Sequence, residues 1–141
     1  MKEIMVAYWS GTGNTAAMAT ILGKGIQDGG ATAKVVSVED IKADDLKDYP
    51  VFALGCPSMG NETLEETVME DFVTEVESFA SGKKIGLFGS YGWGDGEWMR
   101  TWEKDCSDAG LNLVCESVIC ADAPDDAALE SCRALGRALA Q

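Results

Sequence analysis

The amino-acid sequence predicts an α/β fold in which one parallel sheet carries helices on both faces. Three observations predict it. Short apolar or β-branched runs alternate along the chain with segments whose apolar residues recur at helical spacing. Three of those runs, EIMVAY, VFALG and KIGLFG, lack clean polar–apolar alternation, as strands buried on two sides do. Bends of unusual composition, two of them rich in glycine, follow these same three runs, where a strand has to turn into a helix.

Strands are expected at Glu3–Tyr8, Ala33–Val38, Val51–Gly55, Lys84–Gly89 and Leu113–Cys120, with the first, third and fourth central. Met18, Leu22 and Ile26 form the apolar stripe of the first helix, and Val68, Phe72, Val76 and Phe79 that of the next. Trp98, Trp102, Cys106 and Ala109 mark a third helix, and Ala128, Cys132, Leu135 and Leu139 a last one. Each stripe suits a helix lying on a sheet. Between the second and third strands, Glu39 to Pro50 is polar and irregular, so only a short helix is placed there. A chain of 141 residues without repeats or linkers is the size of one domain, residues 1–141, and can bury a real core.

Charge narrows the function. With 11 Lys and Arg against 24 Asp and Glu the net charge is −13, which excludes nucleic acid as a natural partner, because a phosphate backbone is bound by Lys and Arg that displace its counterions. Cys56, Cys106, Cys115, Cys120 and Cys132 are odd in number, show no CxxC spacing and have no histidine to join them. A disulfide framework and a zinc site are therefore disfavoured, no metal ligands are expected, and buried reduced thiols are. The start MKEIMVAYW has too short an apolar core for a signal peptide, and no run approaches a membrane span. The expected setting is the cytoplasm.

Right-handed crossovers bring ligands to the carboxyl ends of parallel strands, where the connections reverse direction. In YWSGTGNT, after the first strand, Gly11 and Gly13 let the backbone turn so that successive amides point inward. Ser10, Thr12, Asn14 and Thr15 add side-chain donors at the positive end of the following helix, so the bend can cradle a phosphate without a cation. A Walker loop is excluded because its lysine is missing. Two readings stay open on this loop alone. One is an ordinary turn with Asn14 or Thr15 as N-cap. The other is a dinucleotide fingerprint, since Gly11, Gly13 and Ala16 fit G-x-G-x-x-A and Glu39 or Asp40 follows the second strand. That fingerprint gives no reason for hydroxyl or amide side chains at Ser10, Thr12, Asn14 and Thr15, whereas a terminal phosphate does. In SYGWGDGEWM, Trp93 lies between Gly92 and Gly94 and looks like a stacking platform, while Trp98 and Trp102 at helical spacing read as core. On the opposing loop Met59 offers a soft thioether, followed by Gly60 and Asn61, which tolerate positive φ. Together these features describe a pocket for a planar heteroaromatic ring on a phosphorylated polyol.

The loops WSGTGNT, GCPSMGNETLEE and GSYGWGDGEWM resemble those of the short-chain flavodoxins of anaerobes, and the likeness runs in order and spacing over essentially the whole chain. The resemblance implies a three-layer, doubly wound flavodoxin-like fold with five parallel strands in the order 2-1-3-4-5. It also implies noncovalent FMN that shuttles single low-potential electrons between redox enzymes through its semiquinone and hydroquinone. On the same basis Ser10, Gly11, Thr12, Gly13, Asn14 and Thr15 hold the phosphate, Trp93 stacks on the outer face of the ring, and Met59 covers the inner face. Glu62 accepts the ring N3 hydrogen, with Pro57, Ser58, Gly60 and Asn61 in the same cofactor loop. Amides of Ser90, Tyr91 and Gly92 face the pyrimidine edge, and Ala121 and Asp122 border the ribityl chain or the ring. Trp9 is left between core packing and cofactor contact. Related chains often carry an acid where Asn61 stands, so a changed potential is expected with binding retained. A Gly60-Asn61 peptide that turns its carbonyl toward ring N5 would stabilise the semiquinone, and nearby acids would disfavour the anionic hydroquinone.

No catalytic residue is expected in such a carrier. The partners implied are redox enzymes with basic docking surfaces, such as 2-oxoacid oxidoreductases or hydrogenase, steered by the acidic stretches Asn61 to Glu70 and Gly94 to Glu97 toward a monomer. Two other classes are weighed against the carrier. A small FMN-dependent NAD(P)H or quinone reductase would oxidise NAD(P)H unaided, and a nucleotide-sensing module would be colourless.

Overall fold

A computed structural model describes residues 2–11, 13–59, 64–92, 94 and 96–141. Its strands are β1 (Glu3–Tyr8), β2 (Thr32–Ser37), β3 (Val51–Gly55), β4 (Lys84–Tyr91), β5 (Asn112–Leu113) and β6 (Val118–Ala121). Among the described residues they form one sheet in the order β2-β1-β3-β4-β5, with β6 also paired to β4 and every pairing parallel. The expected order 2-1-3-4-5 is thus present, with the fifth strand in two pieces instead of the continuous Leu113–Cys120. Val114 still donates to the Ile85 carbonyl at 3.1 Å, but Cys115 and Glu116 then turn out to solvent, and the Ser117 hydroxyl donates to Glu103 Oε2 at 2.6 Å. Polar side chains at a sheet edge gain more from water and a neighbouring carboxylate than from the ladder.

Helix α1 (Asn14–Asp28) and helix α4 (Asp126–Leu139) cover one face; α2 (Met69–Glu77) and α3 (Glu97–Asp108) cover the other. The unalternating strands are explained by this sandwich. In β1, Ile4 and Val6 join the α1/α4 core while Met5 and Ala7 join the α2/α3 core, and in β3 Val51 and Ala53 divide from Phe52 and Leu54 in the same way. Period-two geometry is intact, but both faces are apolar. β2 lies at the edge, with mixed exposure and Val35 open to solvent. Fully burying a side chain such as Phe52 or Phe88 contributes about 1.5–3 kcal/mol, so the central strands anchor the fold.

The helix stripes hold with small shifts. All four residues of the last stripe and all three of the first are buried. The second is shorter than expected: Val68 and Phe79 flank α2 half-buried, while Met69 and Val73 complete its inner face. Ala109 is the half-buried C-cap of α3. In place of a short helix after β2 there are two 3-10 turns, Val38–Asp40 and Ala43–Leu46. Cys56, Cys106 and Cys132 are buried, and that burial pushes each thiol up to about 12. Cys115 is exposed and Cys120 only half-buried, which corrects the expectation that all five are inside.

Candidate functional site

Tyr8 of β1 lies beside Gly55 of β3, which in turn lies beside Phe88 of β4, so the bends after these strands start from one edge of the sheet. From β1 the chain crosses to β2 on one side, and from β3 it crosses to β4 on the other. A crevice therefore opens between the ends of β1 and β3.

Its first wall is the start of α1. Gly13 is the N-cap, at φ 96°, a left-handed backbone that costs a glycine nothing and most residues about 1–2 kcal/mol. Neither Asn14 nor Thr15 is the cap, and the N-cap glycine of this helix has no side chain to offer. No acid lies in its first turn. Ser10 Oγ instead accepts from the amides of Gly13 at 3.1 Å and Ala16 at 3.3 Å, which folds the bend tightly and leaves the hydroxyl proton to donate outward. Thr15 is buried, and its Oγ1 lies 3.4 Å from the buried Ser90 Oγ, so it joins the first loop to the third.

The second wall follows β3. Gly89 has no side chain to obstruct it, so the Cys56 carbonyl passes where a Cβ would stand only 2.1 Å from the oxygen. That carbonyl accepts from Trp98 Nε1 at 3.1 Å, and the amide of Ser58 donates to the Ser90 carbonyl at 2.9 Å. Trp98 is buried as the spacing predicts, but it is more than filler: its indole fixes the root of this loop and packs at 5.5 Å between centroids against Tyr91 of the third.

Between these walls lies a cavity of about 220 Å³ lined by Trp9, Gly11, Asn14, Pro57, Ser58, Met59, Ser90, Tyr91, Gly92 and Asp122. All three loops contribute, and nine of the ten lining residues other than Trp9 were anticipated. Trp9, whose role was open, packs against the α2/α3 core and also lines the cavity, with its ring over Gly11. Asp122 is exposed at φ 57°, with its amide donating to the Tyr91 carbonyl at 2.8 Å, whereas Ala121 lies outside the cavity and lines a separate depression with Cys120 and Asp125. The expectations for Thr12, Gly60, Asn61, Glu62 and Trp93 lie outside the described residues. A wider, shallower depression of about 590 Å³ runs between β6 and α4, remote from the three loops.

One residue that sequence reasoning grouped with the surface acids belongs elsewhere. Glu65 is only 5% exposed, and its carboxylate accepts from the amides of Thr67 at 2.9 Å, Val68 at 2.7 Å and Met69 at 2.9 Å as well as from the Thr67 hydroxyl. Burial alone would raise its pKa, but these donors outweigh it and hold the group down at about 2. The signal was present: E-x-T-x-M at the start of an apolar helix stripe resembles a carboxylate preparing to cap it.

A sequence profile of the family described as flavodoxin matches residues 6–136. The flavodoxin of Megasphaera elsdenii is 43% identical over 138 residues, covering 98% of each chain, and that of Clostridium beijerinckii is 42% identical over 135 residues, covering 96% of this chain and 97% of the other. The solution structure of the two-electron reduced Megasphaera elsdenii flavodoxin superposes with a TM-score of 0.89 at 44% identity, over 97% of this chain and 98% of that one.

Proposed function

The chain belongs to the flavodoxin family, whose members carry electrons on FMN, and from that premise we propose that residues 1–141 act as one carrier domain with its cofactor in the crevice between the three loops. The observation that carries the assignment of the site is the cavity itself, which gathers residues distant in sequence at the carboxyl ends of β1, β3 and β4. The residues present fit FMN. The start of α1 has a glycine N-cap and no acid, and among the described residues only its Ala16 amide is met by a side chain, that of Ser10, so its other amides and the Ser10 hydroxyl suit a phosphate group. Met59 and Trp9 supply soft and aromatic surface beside Gly11 and Gly92, where a backbone can approach a flat ring closely.

When bound, FMN supplies reversible one-electron chemistry, and this chain's residues set where it occurs. Ser10, Gly11, Gly13, Asn14 and Thr15 anchor the phosphate end, with Thr12 between them. Pro57, Ser58 and Met59 wall one side of the ring, with Gly60, Asn61 and Glu62 continuing that loop. Ser90, Tyr91, Gly92 and Trp93 wall the other side, and Asp122 borders the open edge.

The exposed acids Glu66, Glu70, Glu97 and Asp122 lie on the loops around this crevice or at the helix starts that follow them, so the reading extends to basic docking surfaces on partner redox enzymes, to a monomer and to the cytoplasm. Glu65 is removed from that acidic set by its burial. Among the described residues no helix is long and apolar enough to cross a membrane.

Stepwise anaerobic reduction followed by visible spectroscopy tests the function. The purified protein is expected to be yellow, to pass through a distinct long-wavelength band at one electron, and to be inert to NADH alone. A colourless protein, or rapid bleaching by NADH without a partner, contradicts the carrier.

A further inference from the structure

We propose that Glu65 is a positioning residue for the cofactor: its buried carboxylate orders the first turn of α2, which holds the Glu65 amide on Cys56 just past β3, so that Pro57, Ser58 and Met59 meet the ring at a fixed height. The inference rests on the cofactor site proposed above and goes beyond it to a residue that does not line the cavity.

The geometry is a clamp around the root of the loop. Glu65 Oε1 accepts from the amides of Val68 and Met69, and Oε2 accepts from the amide and hydroxyl of Thr67, so both oxygens point into the first turn of α2. The same residue's amide donates to Cys56 Sγ at 3.4 Å, and the Cys56 thiol donates to the Pro57 carbonyl at 3.4 Å. Its carbonyl accepts from the Glu70 amide at 2.8 Å. Cys56 is held in turn by its amide on the Phe88 carbonyl and by its own carbonyl on Trp98 Nε1. Glu65 therefore joins the start of α2, through its carboxylate, to Cys56 just past β3, through its amide, and Cys56 in turn is held to α3 by Trp98.

Two features separate this from ordinary capping. A cap needs to satisfy the helix amides only, and an exposed serine or aspartate does that. Here the group is buried at the far end of the segment that leaves β3 at Cys56, and its main-chain donor is spent on the residue where that segment begins. Loosening the first turn of α2 loosens the residue whose amide holds Cys56. A carboxylate also suits the site better than an amide: its oxygens face three main-chain N–H groups besides the Thr67 hydroxyl, so a glutamine would set its NH2 against at least one N–H whichever way it is turned.

The test uses the full chain, stripped of flavin and reloaded, in E65Q, in T67V, which replaces the hydroxyl by a methyl group, and in E75Q, which neutralises an exposed acid farther along α2. FMN affinity is read by flavin fluorescence well below the unfolding temperature, and the peak one-electron-reduced fraction by anaerobic titration. Expected are a roughly tenfold rise in the FMN dissociation constant for E65Q with an altered one-electron fraction, a roughly threefold rise for T67V, and values within twofold of the native protein for E75Q. If E65Q is less stable yet folded, and both readouts match the native protein, Glu65 is a helix cap and the proposal fails. Should E65Q not fold, T67V decides: unchanged affinity and unchanged one-electron fraction overturn the proposal. Native protein that takes up no FMN overturns the parent reading, whatever the variants do.

Discussion

The starts of α1 and α2 lie at the same end of the sheet and pose the same physical problem, yet the chain treats them in opposite ways. Every helix begins with amides that lack an intrahelical acceptor and with a positive dipole end. At α2 the chain answers with its own anion, a buried glutamate that accepts from Thr67, Val68 and Met69. At α1 it supplies a glycine N-cap with no side chain, no acid in the first turn, and a serine outside the helix that holds the bend closed. The start of α4 follows the α2 pattern, with Asp125 accepting from Ala128 at 2.8 Å. On the proposed reading, a helix start left without an internal anion, on the wall of a crevice, is kept for the FMN phosphate. The contrast then separates a structural terminus from a ligand-binding one by what the sequence withholds.

The largest effect is expected where the internal anion is removed. Glu65→Ala leaves several buried amides without partners and should cost about 3 kcal/mol in urea unfolding of the apoprotein; a loss under 1 kcal/mol would mean that water replaces the carboxylate easily. Placing an internal anion at α1 should have opposite effects on the two states. Asn14→Asp adds negative charge to an acid-free first turn, so the apoprotein should gain about 0.5 kcal/mol while FMN binding weakens roughly tenfold, about 1.4 kcal/mol. Calorimetry of the apoprotein and a flavin titration check the two halves separately. Ser10→Ala removes the acceptor for Gly13 and Ala16 together with an outward donor, and a loss of about 1 kcal/mol in FMN binding, roughly fivefold, is expected by the same titration.

Acid gives the smallest and most gradual contrast. The folded pKa of Glu65, about 2, lies below its ordinary 4.5, so its contribution is complete above pH 4.5 and is lost as pH falls from there through 2. E65Q has no such proton to take up. Its stability should therefore fall less steeply than that of the native protein across this window in acid denaturation followed by circular dichroism, and parallel slopes would contradict the assignment.

Much of this was legible in the sequence because the strongest signals are local. β1 and β3 came out at their full lengths, since apolar runs bounded by glycines and polar turns leave little room for error. The four helices were found from their stripes, and the meeting of three bends at one pocket was foreseen from their composition, though Ser10, Gly13 and Thr15 lie outside the cavity lining. What was missed depends on tertiary partners. Glu65 looks like any surface acid until α2 folds over it, because local sequence does not state burial. The break at Cys115 and Glu116 depends on Glu103 being within reach of Ser117, a contact between α3 and the sheet edge. The second role of Trp98, pinning the Cys56 carbonyl, is invisible in a helical stripe that correctly reads as core.

On this reading an acid-free helix start with a glycine N-cap holds the phosphate of a flavin whose ring lies between the second and third loops. Titrating the apoprotein in parallel with FMN and with riboflavin, which differ only by that phosphate, tests it most directly. FMN is expected to bind at least about a hundredfold more tightly, roughly 2.7 kcal/mol. Equal affinities for the two, or no uptake of either, would contradict the account.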